Sequence, residues 1–96
     1  MNLHYDIDPE DSKILHISGE LVYPLDYSHL SDLQQRHFFE DGFINPLKEK
    51  TGCEFTWSHS FVFPSIELAQ CIIDFETEQQ TFFFQLMIDS HGNRIV

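Results

Sequence analysis

The sequence predicts an α+β fold: a five- or six-stranded antiparallel sheet with one broken helix, or two short helices, packed on one face. Several segments alternate apolar and polar residues with the two-residue period of a strand. Residues 28–51 instead repeat apolar residues at the spacing of a helix. Short connections between successive strands favour antiparallel neighbours. The expected order is β-β-α-β-β-β, or the same order with one more short strand at residues 94–96.

Two strands are expected before the helix. Residues 3–7 alternate apolar and polar side chains, which indicates a half-buried strand. Residues 9–12 (Pro, Glu, Asp and Ser) have the composition of a turn. A second strand is expected over residues 13–23, where Gly19 indicates a bulge or a bend. Pro24 ends this strand, because proline cannot donate a hydrogen bond to a strand ladder.

The helical segment runs from about residue 28 to residue 51. Leu30, Leu33, His37 and Phe38 fall at i, i+3, i+7 and i+8, which lie on one helical face, and Asp26 or Ser28 can cap the start of the helix. Gly42 interrupts the pattern, Pro46 is typical of a first helical residue, and Gly52 is typical of the residue after a helix. One broken helix and two consecutive helices both fit this pattern.

Three further strands are expected after the helix. The clearest alternation covers residues 53–63, where aromatic and other apolar side chains occupy every second position. This alternation places Trp57 and Phe61 in the core. Residues 66–76 predict the next strand, and residues 81–89 predict its hairpin partner after a short turn.

Composition excludes several classes of function. The 96 residues contain 16 Asp and Glu against 5 Lys and Arg, for a net charge of −11. This length is typical of a single domain, so residues 1–96 are expected to form one. A content of 42% hydrophobic and 15% aromatic residues argues against intrinsic disorder. Direct binding to nucleic acid or to an anionic membrane is disfavoured, because both need clustered Lys and Arg.

The expected cellular location and the expected state of the cysteines depend on sequence features that are absent. No apolar segment approaches the roughly 18 residues that a membrane-spanning helix needs, and no signal-peptide pattern is recognisable at the N-terminus. Cys53 and Cys71 are too few for a disulfide scaffold. We therefore expect buried thiols in a cytoplasmic protein, with a disulfide between neighbouring strands as the alternative.

Catalytic and metal-binding patterns are weak. His4, Asp6 and Asp8 share one face of the first strand, and His16 on the next strand could lie near them as in a two-histidine, one-carboxylate metal site. A solvated polar strand face is the simpler interpretation, and we expect no metal and no cofactor. Residues 89–91 (Asp, Ser and His) contain the residue types of a hydrolase triad, but adjacent residues in a turn do not converge on one point. We therefore expect no catalytic residue.

The strongest functional signal lies on the final hairpin. If the alternate residues Phe82 to Ile88 face the core, an apolar patch with an acidic rim remains on the outer face, and such a patch is typical of an interface. Carboxylates two residues apart on a strand lie about 6.5–7 Å apart, which resembles the spacing of successive phosphates. The expected partner-binding residues are Ile72, Asp74, Glu76, Phe83, Met87 and Asp89, together with Asp6 and Asp8 of the N-terminal hairpin.

These observations predict a non-enzymatic acidic inhibitor. It would bind a basic nucleic-acid-processing protein, such as a nuclease, a helicase or a CRISPR effector, and block its nucleic-acid channel. Phage counter-defence proteins (anti-CRISPR and anti-restriction proteins) and toxin immunity proteins fit this class, and both act in the bacterial cytoplasm. One alternative is a structural or adaptor domain that binds a scaffold or itself, as a homodimer. The other is a small enzyme or ligand-binding domain with a pocket that uses Cys53 and His59.

Overall fold

The alternating segments form a four-stranded sheet, and every strand is antiparallel to its neighbours. The structure is a computed structural model that describes residues 3–90, apart from the side chains of residues 59, 60 and 90. The elements are β1 (Leu3–Ile7), β2 (Ile14–Glu20), α1 (Asp32–Phe39), α2 (Asn45–Thr51), β3 (Thr56–Phe63), β4 (Leu68–Asp74) and α3 (Glu78–Ser90). The spatial order is β1-β2-β4-β3, and the α+β class is confirmed. The strand predicted at residues 94–96 lies outside the described residues.

The first two strands form the expected hairpin, and Asp8 organises its turn. The Asp8 Oδ2 atom accepts hydrogen bonds from the backbone N–H groups of Glu10 and Asp11, at 3.0 and 3.2 Å. Pairing stays regular through Gly19, which lies opposite Leu3 of β1 and Ala69 of β4. The sheet therefore has no bulge at Gly19, and its irregularity lies in β3 instead.

The helical segment is one broken helix, which was one of the two forms predicted. Ser31 caps α1: its side chain accepts a hydrogen bond from Gln34 N, and the Gln34 side chain accepts one from Ser31 N. The cap predicted at Asp26 or Ser28 is wrong, because residues Tyr27–His29 form a separate 3-10 turn. Gly52 follows α2 with a left-handed φ of 68°, as predicted for the residue after a helix.

A π-helical turn, Glu40–Ile44, joins α1 to α2 and marks the break. The N–H of Asn45 donates to the carbonyl of Glu40, five residues back, and the next residue, Pro46, has no N–H to donate. Gly42 lies where the helix meets the end of β2, and a Cβ atom there would be 2.9 Å from Cδ1 of Leu21. A larger residue at position 42 would therefore require the end of the Leu21 side chain to move.

The segment predicted as the last hairpin strand is a helix, α3. The alternation over residues 81–89 fits a strand, but Thr81, Phe84 and Ile88 also fall at i, i+3 and i+7 of a helix, and all three are buried. The preceding segment decides the outcome. Thr77 Oγ1 accepts from Gln80 N, and Gln80 Oε1 accepts from Thr77 N, so the residues predicted as a turn form a capping box.

Both helical segments pack on the same face of the sheet and enclose one hydrophobic core. At the end of the core that α3 covers, the Phe84 ring lies 5.7 Å from that of Phe55 and 5.4 Å from that of Phe75, between ring centroids. Cys53 and Cys71 are buried free thiols, as predicted. Burial raises the pKa of the Cys71 thiol to about 12, which keeps it protonated and unreactive at neutral pH.

Candidate functional site

The sheet face opposite the helices has no cover in the described part of the chain. We call it the uncovered face. Register defines its members, because residues paired across antiparallel strands share one face. They are His4, Asp6 and Asp8 at the β1 edge; Ile14, His16, Ser18 and Glu20 of β2; Leu68, Gln70, Ile72 and Asp74 of β4; and Thr56, Ser58, Phe61 and Phe63 of β3.

A β-bulge in β3 puts two phenylalanines on the uncovered face. Ser58 lies opposite Ile72, but the next registered pair is Phe61 with Gln70, so β3 uses one residue more than β4 over this interval. The extra residue reverses the side-chain alternation. Phe61 is 54% exposed, and the prediction that it lies in the core is therefore wrong.

The bulge also changes which alternate residues of β3 face the core. Before it, Trp57 is half-buried and packs towards the core, with its ring stacked on that of Phe39 at 5.0 Å between centroids. After it, Val62 faces the core, and Phe63, 41% exposed, faces outwards. Residues 53–63 continue their alternation through the bulge without interruption, so no local signal in the sequence marks it.

Carboxylates gather at one end of the uncovered face. Asp8 N donates to the carbonyl of Ile14 at 2.9 Å, and Ile14 pairs with Asp74 of β4. Asp8 and Asp74 are therefore separated by two interstrand spacings, about 10 Å, and Asp6 lies about 6.6 Å from Asp8 along β1. The structure thus brings together four of the residues predicted to bind a partner: Asp6, Asp8, Ile72 and Asp74.

Two of these carboxylates differ in their surroundings. His16 Nε2 lies 3.0 Å from Oδ1 of Asp8, and this contact, with the two turn N–H groups, lowers the pKa of Asp8. Asp8 is therefore held as an anion by groups of its own hairpin. Asp6 is exposed and has no hydrogen bond or ion pair within the described residues, so its carboxylate is open to solvent.

A shallow cleft of about 270 Å³ lies across the uncovered face. Its rim combines charged, polar and apolar side chains from all four strands. The side chains that surround it are His4, Asp6, His16, Ser18, Phe61, Gln70 and Ile72. Despite the nearby histidines and carboxylates, no group of three potential metal ligands is arranged to hold an ion within the described residues.

The other predicted partner-binding residues lie elsewhere. Phe83, Met87 and Asp89 belong to α3, on the opposite side of the sheet from Ile72, so the predicted patch that joined them is wrong. The cause is that this segment forms α3 over the core and not a strand beside β4. Asp89 Oδ2 accepts a hydrogen bond from the Tyr5 hydroxyl at 3.4 Å. Burial, followed by the nearby Asp89 charge, raises the pKa of Tyr5.

Glu76 and residues 89–91, which contain the residue types of a hydrolase triad, lie near the two ends of α3 in the sequence. Glu76 follows β4, and its N–H donates to Oε1 of Gln80 in the approach to α3. Asp89 and Ser90 occupy the last turn of α3, and residue 91 lies outside the described residues. Phe83 is half-exposed and, with Phe82 and Leu86, forms a second apolar patch on α3, separate from the uncovered face.

Comparisons of the chain with protein-family models, with curated proteins and with solved structures gave no significant match. Within residues 3–90, no helix is both long enough and apolar enough to cross a membrane.

Proposed function

We propose that this protein is a non-enzymatic binding protein that holds a basic partner protein against its uncovered face. The observation that carries the proposal is the exposure of Phe61 and Phe63 at the β3 edge of that face, which also carries the carboxylates of Asp6 at the opposite edge and of Asp74 at the opposite end. Interfaces typically combine an aromatic centre with a polar rim, and a few aromatic side chains supply most of the binding energy.

The charge of the chain indicates the sign of the partner's charge. A net charge of −11 on 96 residues produces a negative potential that attracts basic surfaces and repels acidic ones. The same charge disfavours a homodimer through this face, because two copies would bring their carboxylates together. Electrostatic attraction would speed the encounter, and the exposed phenylalanines would slow dissociation.

The specific form of the proposal is an inhibitor of a nucleic-acid-processing protein in the bacterial cytoplasm. Such a partner has a basic channel, and the acidic end of the uncovered face is suited to occupy it. Asp6 and Asp8 lie about 6.6 Å apart along β1, close to the spacing of phosphates on an extended strand. Phage counter-defence proteins and toxin immunity proteins are the two classes that this activity fits.

Affinity capture from a bacterial lysate with matched variants tests the function. The site variant is Asp6→Lys/Asp74→Lys, and the control is Asp26→Lys/Glu49→Lys, which has the same net charge but changes exposed carboxylates outside the uncovered face. We expect the native protein and the control to retain a basic nucleic-acid-binding protein that the site variant loses. Duplex DNA added to the purified complex should compete with this chain for that partner.

Three results would contradict the proposal. Equal capture by the site variant and the control would mean that only the overall charge matters. Capture of an acidic partner would remove the electrostatic argument. A complex that duplex DNA does not displace would leave a binding protein but would exclude blockage of a nucleic-acid channel.

A further inference from the structure

The cleft in the uncovered face has two unlike walls. On the β1 side, it is lined by His4 and Asp6, and on the β3 side it is lined by Phe61. Ser18 of β2 lies between them in the strand order, and its small side chain also lines the cleft. An occupant would therefore meet a carboxylate at one side and an aromatic ring at the other.

The carboxylate wall has one anion open to a ligand. The neighbouring Asp8 is already engaged by His16 and by the backbone of its turn. The His16 side chain points towards Asp8, at 3.0 Å, and it therefore leans towards the turn end of the cleft. Asp6, by contrast, has no hydrogen bond or ion pair within the described residues.

The opposite wall is suited to an alkyl chain. Phe61 is half-exposed, Ile72 is half-buried, and Gln70 lies opposite Phe61 and two residues from Ile72 along β4. Aliphatic stems of long cationic side chains pack on such apolar surfaces while their charged heads reach a polar group. Arginine adds a planar group with five donors that can bind a carboxylate through two parallel hydrogen bonds.

We propose that this cleft receives an arginine side chain of the partner. The guanidinium group would bind the carboxylate of Asp6, and the alkyl stem would lie against Ile72 and Phe61, with Gln70 as a further acceptor. This inference rests on the proposed function and identifies the group that the basic partner presents. It also explains why an acidic face would keep exposed aromatic residues: the two kinds of side chain bind the two parts of one arginine.

A titration of the isotope-labelled full chain, followed by NMR, tests the cleft without the partner. The probe is N-acetyl-arginine N-methylamide, and the comparison compounds are the citrulline analogue, which has nearly the same shape but no charge, and the lysine analogue. We expect the arginine compound to shift the amide signals of Asp6, Gln70 and Phe61, and to bind at least about tenfold more tightly than citrulline. The lysine compound should bind more weakly than arginine, since it cannot form the paired hydrogen bonds.

Variants locate the two halves of the site. Asp6→Asn should weaken arginine binding about tenfold, and Phe61→Ala should weaken it severalfold, whereas the control Glu49→Gln on α2 should leave it unchanged. Equal binding of arginine and citrulline, equal binding of arginine and lysine, or shifts confined to another surface would overturn the proposal. Absence of any shift up to the solubility limit of the compound would overturn it as well.

The outcomes also separate this inference from the proposed function. If a basic partner is captured and released by DNA, but Asp6→Asn leaves its affinity unchanged, the function stands and the arginine site is wrong. If arginine binds the cleft but no basic partner is captured, the site stands and the function is wrong.

Discussion

Phe61 lies directly opposite Gln70 of β4, on the face of the sheet that the helices leave uncovered. Every second residue before it, from Cys53 to Trp57, points towards the core or packs against it. The one-residue bulge between Ser58 and Phe61 thus converts the continuation of a core stripe into part of a candidate binding surface. This relationship has direct consequences for stability and for binding.

Phe61→Ala should lower the free energy of unfolding by less than about 1 kcal/mol, because a half-exposed ring loses little buried area. Phe84→Ala is the matched control. Phe84 is fully buried among Phe55 and Phe75, and its truncation should cost about 3–5 kcal/mol. Urea denaturation followed by circular dichroism measures both values. Similar losses for the two variants would place Phe61 in the core.

Thr77→Ala should lower the free energy of unfolding by about 1 kcal/mol, because it removes the side chain that caps α3. Thr56→Ala, an exposed threonine at the start of β3, is the control and should cost less. Urea denaturation followed by the helical signal in circular dichroism measures the effect. The midpoint of Thr77→Ala should be lower than that of the native protein. An unchanged midpoint would indicate that the segment after Thr77 does not start a helix there.

Asp8→Asn should destabilise the protein near neutral pH and lose its effect in acid. The hydrogen bond from His16, with those of the turn N–H groups, lowers the pKa of Asp8 in the folded state below the ordinary value of an aspartate, about 3.9. The ionised carboxylate therefore stabilises the fold above that value, and the contribution disappears as the pH falls through the folded-state pKa. The unfolding midpoints of the variant and the native protein should thus converge below about pH 4.

The matched variant for this measurement is Asp6→Asn, which removes a carboxylate from the same face of β1 without touching the turn. Urea midpoints measured between pH 2 and pH 7 give the comparison. A difference between Asp8→Asn and the native protein that stays constant over this range would show that the Asp8 charge has no part in stabilising the hairpin.

The rate of association with the captured partner should fall strongly as the salt concentration rises. The Debye length falls from about 10 Å at 0.1 M to about 3 Å at 1 M, which screens the attraction between the acidic chain and a basic surface. Stopped-flow mixing across this range measures the association rate, and the dissociation rate should change much less. An association rate that does not vary with salt would remove electrostatic steering from the proposal.

Local sequence patterns alone were sufficient to predict much of the fold. The strand period of residues 3–7, the helical spacing of residues 28–51 and the glycine at position 52 each depend on near neighbours in the chain. Their outcomes, a hairpin strand, a broken helix and a left-handed residue after it, match the prediction. The acidic composition also determined the class of partner that the protein is proposed to bind, since net charge does not depend on the fold.

The apolar run of residues 81–89 satisfies both the strand period and the helical period, and the capping box of Thr77 and Gln80 is a local signal for the helix that the strand interpretation overlooked. The packing of Phe84 between Phe55 and Phe75 agrees with that local signal. The second feature, the bulge, was decided by tertiary structure. The bulge in β3 exists only relative to β4, because it is a mismatch between two strands and not a property of one. The residues of the uncovered face therefore could not be predicted from the sequence. Strand pairing determines which phenylalanines lie on that face, and no local sequence pattern indicates this pairing.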